Sequence, residues 1–395
     1  MTPEISYVID TFFALFAFVL IIFMVPGFAM LEAGLVRTKN VTAVLMMNTM
    51  IYAVASLAFL LIGYSIAFGN FGSDSMSQWA AFLFQMAFVG KVVNIMSGGV
   101  SERAKIIPLT VFAILMAAFI YPTVVNWAWG SDMLDGTILD LTMYDLAGST
   151  VIHSTGGWAL VAAIMILGAR KGRYPKNGGV RVIPASNIPL VTLGAFLLWI
   201  GWFGFNGGSV GSIASKESAD AVALAIMNTN TAGLAGAMIS SIIMYLKYKK
   251  LDITMALNGA LGGLVSITAG PDLYNIYQPI LIGGIGGALV VFAIPLFDKL
   301  KMDDPVGALS VHLVNGIWGT LAVGIFASNP SEGITFMGQL KGVIVVGIFT
   351  FVSSYVVLFA INKIVPMRVE NDEELEGLDV NECGVEAYPE FKRAF

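Results

Sequence analysis

The chain has 395 residues, of which 57% are hydrophobic and only 12% charged, and its mean hydropathy is +0.82. A soluble domain carries roughly 25% charged residues, so this composition excludes a water-soluble enzyme. The negative charge is concentrated at the C-terminus, where residues 366–395 hold nine acidic and three basic side chains. The acidic pI of 5.1 therefore describes a tail and does not indicate a nucleic-acid partner.

The ends of the chain suggest one membrane domain, 1–365, followed by an acidic tail, 366–395. The N-terminal sequence MTPEISYVID lacks the basic segment of a signal peptide, and the apolar run after it is too long for one. We therefore expect that run to be the first membrane span. The single cysteine, Cys383, excludes an intramolecular disulfide and a cysteine-cluster metal site.

Apolar segments of about 20 residues, each long enough to cross a bilayer as a helix, recur along the chain. They are continuous rather than alternating, which favours helices over a closed barrel. The predicted spans are 8–36, 43–68, 78–99, 106–127, 146–169, 186–206, 220–246, 253–270, 277–297, 305–328 and 338–363.

The basic residues predict the orientation, because lysine and arginine concentrate on the cytoplasmic side of membrane proteins. If the N-terminus is outside, all but three of the 21 lysines and arginines fall inside, Lys392 and Arg393 among them; the exceptions are Lys91, Lys216 and Lys341. We therefore predict a multi-pass protein of the cell (inner) membrane with an external N-terminus and a cytoplasmic tail.

The only two histidines of the chain occupy the fifth and the tenth predicted span. His153 lies in VIHSTGGW and His312 in VHLVNGIW, so each is followed by a glycine four residues later and by a tryptophan. Because five is an odd number of spans, a second block of five would run opposite to the first, as in an inverted repeat. The two histidines would then meet near the middle of the membrane.

Ionisable residues inside a membrane are functional candidates, and the paired histidines are the strongest ones here. A two-histidine metal site is a weaker interpretation, because no cysteine, third histidine or obvious acidic ligand completes it. Asp145 precedes His153 by eight residues. It could cap the start of the helix or attract cations at the outer mouth, and both roles could hold.

Aromatic residues gather near the predicted outer ends of the spans. Phe84 and Phe88 lie near the outer end of the span 78–99, Trp129 follows the span 106–127, and Phe205 lies at the outer end of the span 186–206, just before Ser209. Aromatic side chains are common at bilayer interfaces, but a cation-binding cage uses the same residue types. Their spacing does not separate these two interpretations.

Several sequence motifs together resemble the ammonium transporter (Amt/Mep/Rh) family, on the Amt branch, along nearly the whole chain. They are PGFAMLEAGLVRTKNV (26–41), FQMAFVG (84–90), SERAK (101–105), DLAGSTVIHSTGG (145–157), GWFGFNGGS (201–209), DDPVGALSVH (303–312) and GLDVNECGVEAY (377–388). The resemblance implies an all-α fold of eleven transmembrane helices, a 5+5 inverted repeat plus an eleventh helix. It also implies a homotrimer in the lipid bilayer, with a PII-family regulatory protein as a possible cytoplasmic partner.

The resemblance also implies roles for individual residues. Phe88, Trp129, Phe205 and Ser209 look like the external ammonium site of the family, supported by Asp145. Phe84 would join Phe88 and Phe205 in an aromatic gate, and His153 with His312 resembles the twin-histidine pair of the pore. Family members commonly have histidine where this chain has Cys383, which puts the contacts between tail and body in doubt.

These residues together favour transport of ammonium without any cofactor. Aromatic rings and a serine hydroxyl would recognise the cation by cation–π attraction and hydrogen bonding. Because a bare cation is costly in an apolar pore, we expect ammonia to pass while its proton follows the histidines. The alternatives are an ammonium sensor with this fold and low or gated flux, and a membrane metalloenzyme, which would require bound metal.

Lys91 departs from the family, whose members carry a small or apolar residue at this position. It lies in the middle of the third predicted span, three residues after Phe88. A lysine there could stay neutral or pair with an acid, and Glu32 is the best candidate partner. We expect Lys91 either to narrow the pore near the histidines or to face a contact between protein segments.

Overall fold

The computed structural model describes residues 2–130, 141–327 and 329–391. The helices of the apolar segments are α1 Pro3–Leu35, α2 Thr38–Phe68, α3 Gln78–Val100, α4 Ile106–Trp129, α5 Ser149–Leu167, α6 Ile188–Gly208, α7 Lys216–Tyr248, α8 Ile253–Ile267, α9 Gln278–Lys299, α10 Leu309–Phe326 and α11 Phe336–Ile364. Two short helices follow in the tail, α12 Asn371–Glu376 and α13 Leu378–Cys383. Across the described ranges the chain forms no β-strand.

The predicted all-helical, multi-pass membrane fold is confirmed. Within the described ranges, ten helices are long and apolar enough to cross a bilayer. The eighth predicted span, 253–270, is the exception, because its helix α8 has only 15 residues. Asp252 caps the start of α8 by accepting from the backbone N–H groups of Thr254 and Met255. The end of predicted span 305–328 and the tail residues Lys392 and Arg393 lie outside the described residues.

The first ten helices form two blocks with matching neighbours. The leading helices, α1 and α6, pack against each other. In the first block α2 packs on α3 and α4, and in the second block α7 packs on α8 and α9 in the same way. Helix α11 lies outside both blocks, against α5 and α10. This arrangement agrees with the internal repeat expected from the two histidines.

One end of the helical bundle carries a network of charges that is buried except for the half-buried Arg37. We call this end the basic face, and its residues are Arg37, Glu102, Arg103, Arg170 and Asp303. Arg170 binds Asp303 through two nitrogens at 2.8 Å and Glu102 through a third at 3.0 Å. Burial by itself would raise the pKa of Asp303, but the hydrogen bonds and charge of Arg170 outweigh it and lower that pKa to about 2. The network ties together four loops that connect membrane helices.

The tail packs on the basic face, although Cys383 had put such contacts in doubt. Asp379 accepts the backbone N–H of Ala43 at the start of α2 at 2.9 Å. Glu374 accepts from the backbone N–H of Lys171 and from the Arg368 guanidinium, both at 2.7 Å. These bonds are accepted by Asp379 and Glu374, which precede Cys383 in the tail. The tail is therefore positioned without a histidine at residue 383.

Glycines let α7, α8 and α9 approach closely, as small residues do between membrane helices. A Cβ atom added at Gly287 of α9 would overlap the carbonyl oxygen of Gly236 on α7. A Cβ atom added at Gly284, one turn earlier, would meet only the side chain of Ile239, at 3.2 Å. Backbone contacts therefore leave no room for a side chain at Gly287.

We predict that Gly287→Ala lowers the thermal stability of the purified protein because α7 and α9 must separate, at a cost of about 1–3 kcal/mol. The matched control is Gly284→Ala on the same helix, where a side chain can move aside. Thermal unfolding in detergent checks the difference, and equal melting temperatures for the two variants would contradict the close-packing argument.

Candidate functional site

Asp145 organises the start of α5. Its Oδ1 accepts the backbone N–H groups of Gly148 and Ser149, at 3.0 and 2.8 Å, and its Oδ2 accepts those of Thr150 and Val151, at 2.8 and 2.9 Å. Four N–H groups at a helix start otherwise lack partners. Gly148 has a φ of 103°, a conformation that favours glycine. Asp145 therefore has the geometry of a helix cap.

The same arrangement recurs before α10, where sequence reasoning overlooked Asp304. Its carboxylate accepts the backbone N–H groups of Val306, Gly307 and Leu309, at 3.1, 2.9 and 2.7 Å. Gly307 has a φ of 86°. The signal was present in the sequence, because aspartate, glycine three residues later and histidine five residues after that occur in the same order before both histidines.

The two capped helices cross at their histidines. Both begin with a wide π-helical turn, Ser149–Ser154 and Leu309–Val314, which contains the histidine. The glycine four residues after each histidine then lies against the other helix: a Cβ atom at Gly157 would come within 2.6 Å of Leu313, and one at Gly316 would overlap Ser149. The glycine in the repeated sequence therefore permits the crossing.

His153 and His312 meet directly. Their Nδ1 atoms are 3.1 Å apart, and the two rings are nearly parallel with centroids at 5.1 Å. A hydrogen bond between two Nδ1 atoms requires that one ring carries a proton there and the other does not. Both rings are buried, with exposed fractions of 2% and 5%. The pair can therefore hold one proton in either of two positions.

Aromatic rings lie over the histidine pair, on the side away from the basic face. Phe205 stacks on His153 with centroids at 5.5 Å, and Trp202 stacks on the same ring at 5.3 Å. Phe88 meets Phe205 edge-on at 4.6 Å, and Phe84 meets Phe88 edge-on at 4.8 Å. Phe205 therefore joins the histidines to the aromatic residues that the sequence singled out.

Beyond the phenylalanines lies a cavity of about 370 Å³, here called the aromatic cavity. It is lined by Phe84, Phe88, Trp129, Asp145 and Ser209, together with two neighbouring helix residues and three residues of the loop before α5, Tyr144 among them. All five of these residues were candidates from the sequence, and the structure brings them to one place.

The polar groups of the aromatic cavity are held by neighbours. The Trp129 indole N–H donates to the backbone oxygen of Asp145 at 2.7 Å, and the Ser209 hydroxyl donates to the backbone oxygen of Phe205 at 2.8 Å. Because its proton is used in this bond, the Ser209 hydroxyl oxygen is left to accept a hydrogen bond from a cation that carries N–H groups. Tyr144, which the sequence did not single out, donates its hydroxyl proton to Asp272 at 2.6 Å.

A second cavity, of about 20 Å³, lies on the basic-face side of the histidines and is here called the glutamate cavity. Its polar lining consists of Glu32, Asn94, Asn258 and His312, and apolar side chains such as Phe28 complete it. The Phe28 ring lies 6.0 Å from that of His312. His312 therefore stands between His153 on one side and this cavity on the other.

Glu32 does not pair with Lys91, so the predicted ion pair is wrong. Its carboxylate instead accepts the side-chain N–H of Asn48 at 2.7 Å and the hydroxyl of Ser97 at 3.2 Å. Asn94 in turn donates to Asn48 at 3.2 Å. Neutral amide and hydroxyl donors on α2 and α3 thus occupy the positions around Glu32 that a lysine would need.

Lys91 points instead into the contact between α2 and α3. Its Nζ lies 5.5 Å from the centre of the Tyr52 ring on α2, one turn from where Asn94 and Asn48 join the same two helices. The side chain is 1% exposed, and its Nζ has no hydrogen-bond partner within the part of the chain that the structure describes. The residues that line the aromatic and glutamate cavities do not include Lys91.

Comparisons with known proteins identify the family of the chain. The model of the Ammonium Transporter Family matches residues 12–388. Ammonium transporter Amt2 of Archaeoglobus fulgidus is 34% identical, over 98% of this chain and 90% of that protein. A solved structure described as "Sensor Amt Protein" has a TM-score of 0.90 at 31% identity, over 97% of this chain and 100% of that one. Mep2 of Candida albicans has a TM-score of 0.83 at 25% identity, over 100% and 94%.

The matched region runs from the first membrane helix into the tail and contains both histidine helices and the aromatic cavity. The family match and the identity to a curated relative over almost the whole chain lead to one conclusion: this membrane protein belongs to the ammonium transporter family.

Proposed function

We propose that the protein carries ammonium across the membrane, with the aromatic cavity open to the outside and the basic face in the cytoplasm. The distribution of lysine and arginine supports this orientation. Ammonium would enter the aromatic cavity, lose its proton there, and continue as ammonia past Phe88 and Phe205. The proton would cross on His153 and His312 and rejoin ammonia on the cytoplasmic side.

Recognition in the aromatic cavity rests on two complementary contacts. The faces of Trp129 and Phe88, whose centroids are 6.3 Å apart, attract a cation through their ring quadrupoles. The Ser209 oxygen accepts a hydrogen bond, which K⁺ cannot donate although its size and charge are similar. Asp145 contributes negative charge behind the cavity while its oxygens remain engaged by backbone N–H groups.

Deprotonation follows from the apolar path beyond the cavity. Phe88 and Phe205 are at most 1% exposed, and a bare cation in such surroundings costs several kcal/mol or more. Neutral ammonia avoids that cost. The observation that carries the proposal is the 3.1 Å contact between the Nδ1 atoms of His153 and His312, because it provides a proton position inside an otherwise apolar passage.

The assembly and partners are proposed from the family. We expect eleven transmembrane helices per protomer, a homotrimer in the cell (inner) membrane with one pore in each protomer, and no cofactor. The tail and the loops of the basic face form a continuous surface, bounded by Arg37, Lys39, Glu376 and Asp379. A PII-family protein is the kind of regulator that would bind at this face.

A sensor with low flux is the second candidate function. A structure with 31% identity is described as a sensor, and the buried Lys91 is a departure that a sensor could use. An ammonium group one turn below Phe88 would repel ammonium in the pore if its side chain turned from Tyr52 toward the histidines. Measurement of current separates the two functions, because a sensor binds ammonium without sustained transport.

We predict that His153→Ala and His312→Ala each reduce the current evoked by an ammonium pulse in proteoliposomes by about a hundredfold, within the range of a positioned proton-transfer group. The control is Thr350→Val on α11, which also removes a buried polar group but lies outside the proposed path. Current measured on a solid-supported membrane, with K⁺ pulses for selectivity, checks the result. Unaltered current and selectivity in the histidine variants would refute the proton path.

We predict that Trp129→Leu weakens the apparent ammonium affinity two- to thirty-fold, because it removes a cation–π contribution of about 0.5–2 kcal/mol. Ser209→Ala should weaken it as well through the lost acceptor. Trp79→Leu is the matched control, since Trp79 is 60% exposed and does not line the aromatic cavity. The half-saturating ammonium concentration is the measurement; equal values for Trp129→Leu and the control would mean that Trp129 only packs.

If Lys91 limits flux, we predict that Lys91→Thr raises the ammonium current several-fold. This is the increase expected when about 1 kcal/mol of repulsion between Lys91 and ammonium is removed. The control is Ser56→Ala on α2, because a substitution of Phe88 itself would alter the proposed passage. A current equal to that of the wild-type protein would show that Lys91 only fills the contact between α2 and α3, and the sensor interpretation would lose its structural basis.

A further inference from the structure

Glu32 is a buried ionisable side chain that the proposed transport path has not yet used. It is 1% exposed and lies on α1, five residues before Arg37 of the basic face. Carboxylates inside a membrane domain are costly and are retained mainly where they act on ions or protons. An acid buried at this depth therefore requires an explanation beyond packing.

The surroundings of Glu32 hold the carboxylate in place without neutralising it. Asn48 and Ser97 donate to it from α2 and α3, at 2.7 and 3.2 Å, and neither donor carries a charge. A carboxylate offers about four lone-pair positions, so these donors leave part of its capacity open. A Cβ atom added at Gly98 would lie 2.9 Å from its Oε1, which shows how closely α3 approaches this oxygen.

The open side of Glu32 faces His312 across the glutamate cavity. Glu32 and His312 both line this cavity, whose volume of about 20 Å³ suffices for one water molecule. Asn94 lines it too, and its Oδ1 has no hydrogen-bond partner among the described residues. His312 uses its Nδ1 for His153, so its second ring nitrogen remains for a partner elsewhere.

We infer that Glu32 is the proton-relay residue between the twin histidines and the cytoplasm. In this step one proton leaves the second ring nitrogen of His312 for a water molecule in the glutamate cavity, and that water gives a different proton to the Glu32 carboxylate. The Glu32 carboxyl group then releases its proton toward the basic face and becomes a carboxylate again. One proton moves inward in each cycle and no electrons are transferred.

This inference rests on the proposed function, since it extends the same proton path to the cytoplasmic side. It accounts for an otherwise missing connection: the histidines are buried, and apolar residues such as Phe28 and Leu31 separate them from the basic face. A proton on His312 without a nearby acceptor would have no route onward. Glu32 is an acceptor that lines the cavity next to His312.

The experiment compares Glu32→Gln with wild type by ammonium-evoked current in proteoliposomes, normalised to folded protein. Glutamine keeps the shape and an acceptor oxygen for Asn48 or Ser97 but does not release a proton. We expect the maximal current to fall about a hundredfold, as for a positioned proton-transfer group, with an unchanged half-saturating ammonium concentration. Glu32→Asp should recover part of the current.

Two further variants separate a relay from a structural role. Asp10→Asn alters another buried carboxylate of α1, one that accepts from Ser212 and the backbone of Ile213 outside the proposed path. Ser97→Ala removes a hydrogen bond to Glu32 but keeps the carboxylate. Both are expected to lower the melting temperature while retaining current close to that of the wild type.

Each outcome decides the matter. Wild-type current in folded Glu32→Gln, or a folded Glu32→Asp no better than Glu32→Gln, overturns the relay while the transport function stands. Loss of current in Ser97→Ala equal to that in Glu32→Gln assigns Glu32 to packing and also overturns it. Absence of current in the wild-type protein overturns the proposed transport and the relay together. If Glu32→Gln does not fold, the Glu32→Asp and Ser97→Ala currents decide.

Discussion

The crossing of α5 and α10 is the contact on which the rest of the site depends. Each helix starts at a carboxylate that collects backbone N–H groups, Asp145 for α5 and Asp304 for α10. Each then passes the other at a glycine, Gly157 or Gly316, where a side chain would collide. With both starts and both crossing points defined, the histidines have little freedom, and their Nδ1 atoms meet at 3.1 Å.

Polar groups in this protein are concentrated where helices must be held in one arrangement. A buried polar group without a hydrogen-bond partner is costly in an apolar medium. Only 12% of the residues are charged, and buried ones such as Arg170 and Glu32 have partners that join helices or loops. Arg170, Asp303 and Glu102 join loops at the basic face, and Glu32 joins α1 to α2 and α3. Phenylalanine and histidine rings lie between the aromatic cavity and the glutamate cavity, and under the proposed function they would pass a proton and ammonia but not a bare cation.

Lys91 illustrates the limit of sequence reasoning, which left its placement open between the pore and a helix contact and named the wrong partner, Glu32. The depth of Lys91 in the third span and its distance from Phe88 were apparent from the sequence, as was the presence of an acid on a neighbouring span. The direction in which the Lys91 side chain points was not apparent from the sequence. Phe88 and Lys91 are three residues apart, and such positions share a helix face only approximately. In the structure, Lys91 lies toward Tyr52 of α2. The Glu32 carboxylate accepts hydrogen bonds from Asn48 and Ser97 instead. The same reasoning overlooked Tyr144, whose hydroxyl donates to the distant Asp272. It also overlooked Asp304, although the spacing of aspartate, glycine and histidine before His312 repeats the spacing before His153.

The sequence by itself determined the class of protein, the approximate membrane spans, the repeated histidines and the family. These follow from composition, from the length of apolar segments and from motif order, which are properties of the chain alone. The tertiary structure decided which polar groups become partners: the contact of His153 with His312, the cavity shared by Glu32 and His312, and the attachment of the tail through Asp379 and Glu374. Such pairings depend on the rotation and separation of helices distant in sequence, and these are set by packing at glycines and caps.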